Sequence, residues 1–446
     1  VIGTGALLSN ILAGCCPVQK IRIVRGAALP IPASGDVSAS GLLITNWDPR
    51  QEAETVYVTY VVKDGNARKT LWEKEIAKYD GWYIPLAIFD ESRIYYLAGE
   101  RLLAFDQKDG STAWEASLSD LVSTSCENCI QKVKGQLIVL TLDYVLQGID
   151  ASSGELAWSV RLNDSSTAYE GFSAVGGQVV LSDRTEPEGA DKAVHVFSPD
   201  NGSLIRTLAP TCPEIDYQPW FRDMFVDRSS GGGQVIFLYM CMSDPYVQSW
   251  DLASGEMAWQ QLLPEDADIS VDSFLLSRDT LYLDVYKGRL EISLSTGQTE
   301  SLPEPDPDYE FILLEEYEGT LIGKARRTRG SERHELWGLE GVAERIWSYE
   351  LETDTLLDVD SGSADWAYHF TPDGIVLIQA LDAPEEHISV VVLNPQNGQV
   401  IQQVEAPIEG DSLEGVAWDS DAAYVTVRGN LYTIDLKTLT ITPEWP

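Results

Sequence analysis

Leu102–Trp114, LLAFDQKDGSTAW, recurs at Leu146–Trp158 as LQGIDASSGELAW and at Val247–Trp259 as VQSWDLASGEMAW. Asp106, Gly110 and Trp114 fall on Asp150, Gly154 and Trp158, and then on Asp251, Gly255 and Trp259. The first two copies lie 44 residues apart. Weaker copies keep the turn glycine and lose the tryptophan: Ser198 with Gly202, Ser293 with Gly297, and Asn394 with Gly398. Asp64 with Trp72, and Asp435, retain other parts of the frame, and Trp347 marks a decayed copy between Gly297 and Gly398.

Each copy reads as a β-hairpin. An alternating apolar strand runs into a tight turn and returns through a second strand that carries the tryptophan. Glycine supplies the left-handed backbone that the turn needs, and the aspartate can accept hydrogen bonds from turn N–H groups. Two further strand-like runs precede each hairpin, and four strands in a period of about 46 residues is the arithmetic of a propeller blade. A tryptophan at a fixed place in the outer strand then buries its ring between neighbouring blades.

The expected fold is therefore all-β, a propeller of four-stranded blades. Nine hairpins are visible from Asp64 to Asp435, but the first has little sequence ahead of it. The reading is eight complete blades with the N-terminal segment completing or decorating the ring, and a nine-bladed closure is the alternative. Residues 1–19 form an apolar N-terminal anchor or packing segment and residues 20–446 a single propeller. The 446 residues carry 31 Lys and Arg against 70 Asp and Glu, a formal net charge of −39. A nucleic-acid backbone is repelled by such a surface, so nucleic acid is not an expected partner.

The pattern Ala104-x-Asp106-x-x-x-Gly110-x-x-x-Trp114, with Gly148 and Ser249 at the Ala position, resembles the tryptophan-docking motif of PQQ-type (quinoprotein) propeller repeats, from about residue 41 to the C-terminus. That family contains quinoprotein dehydrogenases, which bind pyrroloquinoline quinone (PQQ) and calcium, and non-catalytic BamB-like members. The dehydrogenase pattern has a paired-cysteine ring above the cofactor, whereas the vicinal Cys15 and Cys16 here lie ahead of the propeller. No set of quinone clamps can be assigned, and Cys126-Glu-Asn-Cys129 is followed by Ile130, so there is no CxxCH haem site. The resemblance implies the BamB-like branch: no catalytic residues, no cofactor-binding residues, neither PQQ nor calcium, and a protein-binding scaffold subunit of a membrane-associated or cell-surface assembly. The alternative is a PQQ-dependent or other small-molecule enzyme with its site in the central channel.

Residues 1–16 carry no charge, and Leu12-Ala13-Gly14-Cys15 resembles a bacterial lipobox, which makes Cys15 the lipidation candidate. A cropped transmembrane helix or an apolar packing segment is the competing reading. Either places the propeller outside the cytoplasm, in the periplasm or at the cell surface, tethered to a membrane through its N-terminal segment. Six cysteines suit an oxidising compartment. Cys126 and Cys129 could be a redox dithiol, half a zinc site or a loop disulfide, of which the disulfide is preferred. Cys212 and Cys241 are the candidates for a second bridge.

Asp358, Asp360 and Asp365 have calcium-like spacing, but the glycine is one place early for an EF-hand and no bidentate Glu follows. A solvated loop is the preferred reading. None of His195, His334, His369 and His387 has a Ser, Cys or carboxylate neighbour in a recognised catalytic arrangement, and His195 reads as a packing residue in a strand.

Overall fold

The structure is a computed structural model. It describes residues 20–24, 41–47, 55–64, 67–77, 86–90, 92–122, 130–162, 168–184, 193–213, 220–227, 233–241, 244–264, 274–277, 279–285, 288–302, 306, 308–327, 333–340, 344–351, 366–381, 385–408, 413, 415–418, 422–427 and 430–445. All of its regular structure is strand, arranged as a propeller of four-stranded antiparallel blades in which each strand pairs with the next one in sequence.

Eight blades follow one another. The first contains β5 (Leu86–Phe89), β6 (Arg93–Ala98), β7 (Arg101–Asp106) and β8 (Thr112–Ser117), and the second β9 (Ile130–Val133), β10 (Gln136–Leu140), β11 (Val145–Asp150) and β12 (Leu156–Arg161). The third contains β13 (Ala168–Val175), β14 (Gln178–Arg184), β15 (Val194–Phe197) and β16 (Leu204–Leu208). The fourth contains β17 (Trp220–Asp227), β18 (Gln234–Cys241), β19 (Asp244–Asp251) and β20 (Met257–Leu262). The fifth and sixth are β21 (Phe274–Ser277), β22 (Thr280–Val285), β23 (Gly288–Ser293) and β24 (Thr299–Leu302), then β25 (Tyr309–Tyr317), β26 (Thr320–Arg327), β27 (His334–Glu340) and β28 (Glu344–Leu351). The last two are β29 (Trp366–Thr371), β30 (Gly374–Leu381), β31 (His387–Leu393) and β32 (Val400–Pro407), then β33 (Gly415–Trp418), β34 (Ala422–Val427), β35 (Asn430–Asp435) and β36 (Ile441–Trp445). Ahead of them the N-terminal residues form a further sheet of the same strand order, β1 (Lys20–Val24), β2 (Gly41–Trp47), β3 (Thr55–Asp64) and β4 (Ala67–Ala77).

The strands group into two compact units. One holds β1–β8 and β29–β36, and the other holds β9–β28 together with the turn Pro395–Gly398. Within each unit the apolar cores lie between successive sheets. Val376, Ile378, Val390 and Val392 of one blade meet Val416, Val425 and Ile434 of the next, and Ile236, Leu238 and Val247 meet Leu281, Leu283 and Leu290. First strands of consecutive sheets are neighbours, β9 with β13 and β21 with β25, and β1 lies against β33, β34 and β35.

This sandwiching explains the sequence of each strand. The middle strands are covered on both faces and read as unbroken apolar runs: all eight residues of β30 are buried, and Leu137–Leu140 of β10 are buried in a row. Fourth strands are largely exposed, with partly buried residues at alternate positions only in the later part of LAWSVR of β12 and VIQQVEAP of β32.

Candidate functional site

The repeated Asp-to-Gly turn closes by the same pair of backbone bonds in every strong copy. The amides of Gly110, Gly154 and Gly255 donate to the carbonyls of Asp106, Asp150 and Asp251 at 2.9, 2.8 and 2.8 Å. The Asp106, Asp150 and Asp251 amides donate to the carbonyls of Ser111, Glu155 and Glu256. All three glycines have φ between 68° and 76°, where a side chain is strained. Asp150 Oδ1 accepts from the amides of Ser152 and Ser153 at 2.9 and 2.8 Å and from both seryl hydroxyls, while Asp251 Oδ1 accepts from the Ser254 amide at 2.6 Å. These bonds hold both carboxyls below their ordinary range. For Asp150 the Ser152 side chain is the largest cause, and for Asp251 it is the Ser254 amide.

Across each hairpin the tryptophan pairs with a small residue: Ala104 with Trp114, Gly148 with Trp158, Ser249 with Trp259 and Gly338 with Trp347. A β-bulge follows directly after that pair in all four. At Gly148 and Gly338 a Cβ would enter the indole of the paired tryptophan, so the ring fills the space that a side chain would take.

Three of these rings, and that of Trp72 on β4, dock on the turn of the following blade. Trp72 Nε1 donates to the Gln107 carbonyl at 3.0 Å, Trp158 to Pro199 at 2.8 Å, Trp259 to Leu294 at 2.6 Å and Trp347 to Pro395 at 2.9 Å. Each acceptor stands three residues before the turn glycine, and Gly110, Gly202, Gly297 and Gly398 lie under the respective rings. The repeat is thus an inter-blade lock. At these four junctions one sheet supplies the indole and the next supplies the glycine platform. Trp114 is buried beside Tyr95, with ring centroids 5.8 Å apart.

At the seam between β13–β16 and β17–β20 the tryptophan position, four residues after Gly202, is Arg206. Its side chain lies over Gly255, and its buried Nη1 has no hydrogen-bond partner. Cys212 and Cys241 are joined in a disulfide in this same seam, where both belong to the interblade core with Leu208, Val235 and Phe237.

Among the described residues charge enters the interior at Arg289, 3% exposed and 4.2 Å from the Phe311 ring centroid, and at Glu335, neither of which sequence reasoning singled out. The Glu335 carboxylate, on β27, is 5% exposed; it accepts from Trp337 Nε1 at 2.7 Å and Tyr309 Oη at 3.2 Å, and pairs with Arg333 at 3.4 Å and Arg345 at 3.9 Å. Arg345 in turn lies 4.4 Å above the Trp337 ring. On the inner strands, His369 of β29 stacks on Trp418 of β33 at 4.8 Å and 20°. Burial pushes the His369 imidazole below its ordinary value. His195 bonds Thr207 Oγ1 at 3.0 Å across β15 and β16, in an exposed part of the sheet.

Cys15, Cys126, Cys129, Asp358, Asp360 and Asp365 lie outside the described residues. Among the described residues no group of three or more His, Cys, Asp or Glu is placed to hold a metal ion, and no helix is long and apolar enough to cross a membrane.

Locks of this kind, repeated from blade to blade, define a tryptophan-docked propeller of the PQQ-like class. The family model described as outer membrane protein assembly factor BamB matches residues 59–300, more than half of the chain, and the protein belongs to that family. Among solved structures, the chain is similar to BamB from Moraxella catarrhalis at 16% identity, over 78% of this chain and 94% of that one, with a TM-score of 0.42. It is also similar to the quinohemoprotein alcohol dehydrogenase from Comamonas testosteroni at 12% identity, over 78% and 69%, with a TM-score of 0.46. The computationally designed protein Ika8 matches at 14% identity, over 78% and 94%, with a TM-score of 0.46. No curated protein sequence matches the chain.

Proposed function

We propose that this protein is a non-catalytic, extracytoplasmic propeller that holds a protein partner within a membrane-associated or cell-surface assembly. The observation that carries the reading is membership of the outer membrane assembly factor family over residues 59–300. The Cys212–Cys241 disulfide supports a location outside the cytoplasm, where such bridges persist. The chemistry of the seams is in keeping with a frame: indole N–H groups, turn carboxylates and the buried Glu335 are engaged with partners inside the blades. A frame of locked blades presents its connecting loops in fixed positions, which is what a scaffold requires. With a net charge of −39, the contact surface of the partner is expected to be basic or neutral.

The competing reading is a quinone-dependent or other small-molecule enzyme. It would draw on aromatic side chains of first strands, such as the stacked pair His369 and Trp418. One experiment separates them. The native protein is extracted in detergent, its mass is measured with whatever remains bound, and the isolated chain is titrated with PQQ and calcium. A stoichiometric complex with a membrane protein, and no quinone binding, is the expected result. An isolated chain that binds PQQ and then oxidises an alcohol overturns the scaffold reading.

A further inference from the structure

We infer that the seam between β13–β16 and β17–β20 is a redox latch, closed by the Cys212–Cys241 disulfide and opened when a dithiol reduces it. The two ends of this seam are held differently. At the end where the β19–β20 turn lies, the docking position is Arg206, whose guanidinium covers Gly255 with a buried Nη1 that has no hydrogen-bond partner. Where tryptophan occupies that position, the ring donates to the turn carbonyl three residues before the glycine. Here the Nη1 group over the glycine makes no such bond.

The opposite end carries the disulfide. β18 starts at Gln234, paired with Asp251 beside the turn, and finishes at Cys241, paired with Asp244 at the far end of the hairpin. Cys212 follows β16 in the segment leading to the next blade, and the bridge ties that segment to the end of β18. Thr211 is fixed alongside it: its carbonyl accepts from Gln248 Nε2 at 2.9 Å and Tyr239 Oη at 3.2 Å. Between the two ends, Val196, Leu208, Val235, Phe237 and Leu252 fill the seam with apolar contact. The covalent clamp therefore sits on a blade junction where an arginine stands in the ring position and leaves a buried N–H unsatisfied.

Access to the sulfurs is unequal. Cys241 is buried at 7% exposure, whereas Cys212 is partly exposed. A thiolate of an extracytoplasmic dithiol attacks Cys212 Sγ, the Sγ–Sγ bond breaks, and Cys241 leaves as a thiolate that takes up a proton. The second thiol of the reductant then attacks the mixed disulfide, releases Cys212 as a thiol and closes its own disulfide. Two electrons and two protons pass to the protein, and the reductant is oxidised by the same amount.

The test is native-state amide hydrogen exchange on the full chain, oxidised and after reduction with dithiothreitol, in the natural sequence and in Arg206→Trp. Reduction is expected to speed exchange in β16 and β18 by roughly tenfold or more, while β22 and β23, beyond the Trp259 lock, stay protected. Arg206→Trp should suppress most of that acceleration by supplying the missing lock. A Cys212→Ser, Cys241→Ser double variant should reproduce the reduced pattern without any reductant. Unchanged protection after complete reduction, an equal rise in every blade, a disulfide that resists the dithiol until the protein unfolds, or indifference to Arg206→Trp would each overturn the latch.

Discussion

Trp259 spreads its indole over Gly297 so closely that a Cβ at residue 297 would stand 2.7 Å from the ring atom Cδ2. The two residues belong to successive blades, and the indole N–H completes the contact by donating to the Leu294 carbonyl at 2.6 Å. Gly297 is needed twice over, since its φ of 71° also lies in the left-handed region. Gly297→Ala should lower stability by about 2–4 kcal/mol, combining backbone strain with displacement of the ring. Gly135→Ala is the control. With φ at 80° and nothing within 4 Å of the added carbon, it should cost only the strain, about 1 kcal/mol. Urea unfolding of both variants measures the difference, and equal losses would show that the indole yields freely.

Glu335 is the acceptor for two aromatic donors in the interior of its blade, Trp337 Nε1 and Tyr309 Oη. Its cationic partners Arg333 and Arg345 remain 45% and 39% exposed, so water can take up their charge once the carboxylate is gone. The loss in Glu335→Ala therefore comes mainly from the stranded donors, and we expect about 2–3 kcal/mol. Glu335→Gln keeps an acceptor and should lose about 1 kcal/mol. If the two variants lose the same amount, the charge rather than the acceptor is what matters.

Trp347 shows how much of this was legible in the chain and where legibility stops. The Asp–Gly–Trp spacing is local to one hairpin, so it survives in the sequence and identifies the blade, even where the copy around Trp347 has decayed. The docking partner of each ring lies 35–48 residues further on, as in Trp259 with Leu294 and Trp347 with Pro395, and only the packing of successive sheets brings them together. Arg206 was readable in principle, because it stands four residues after Gly202 where the strong copies have tryptophan. Glu335 has no such signal. Its partners are set by the register of β25, β27 and β28, which has no composition signature. The N-terminal sheet lacked a motif before Asp64, which is why the sequence supported a segment completing or decorating the ring and did not resolve its four strands.

The turn carboxylates are expected to contribute to the acid limit of stability. Asp150 and Asp251 titrate below their ordinary range because turn amides and seryl hydroxyls hold the ionised form. A group whose folded-state pKa is depressed stabilises the fold above its unfolded value, near pH 4, and this contribution disappears as pH falls through the folded value. Stability should therefore decline below about pH 4. In an Asp150→Asn, Asp251→Asn double variant the decline should be shallower, since Asn can still accept from the turn amides but does not titrate. Thermal melts across the acid range measure this, and an unaltered acid limb would mean that other carboxylates govern it.

His369 acts at a higher pH and in the same direction for a different reason. Burial disfavours its imidazolium, so the folded protein binds that proton less readily than the unfolded chain. As pH falls through the ordinary histidine value of about 6.5, the unfolded state gains a proton that the folded state still refuses, and stability drops until the folded-state value is passed. His369→Phe keeps an aromatic ring against Trp418, whose centroid is 4.8 Å away, and removes the titration. The variant should match the natural protein in stability at neutral pH and exceed it near pH 5. Paired melts at the two pH values decide the matter. A deficit that persists in His369→Phe at the lower pH would place the sensitive group elsewhere, and a gain at both would mean that the imidazole is poorly packed even when neutral.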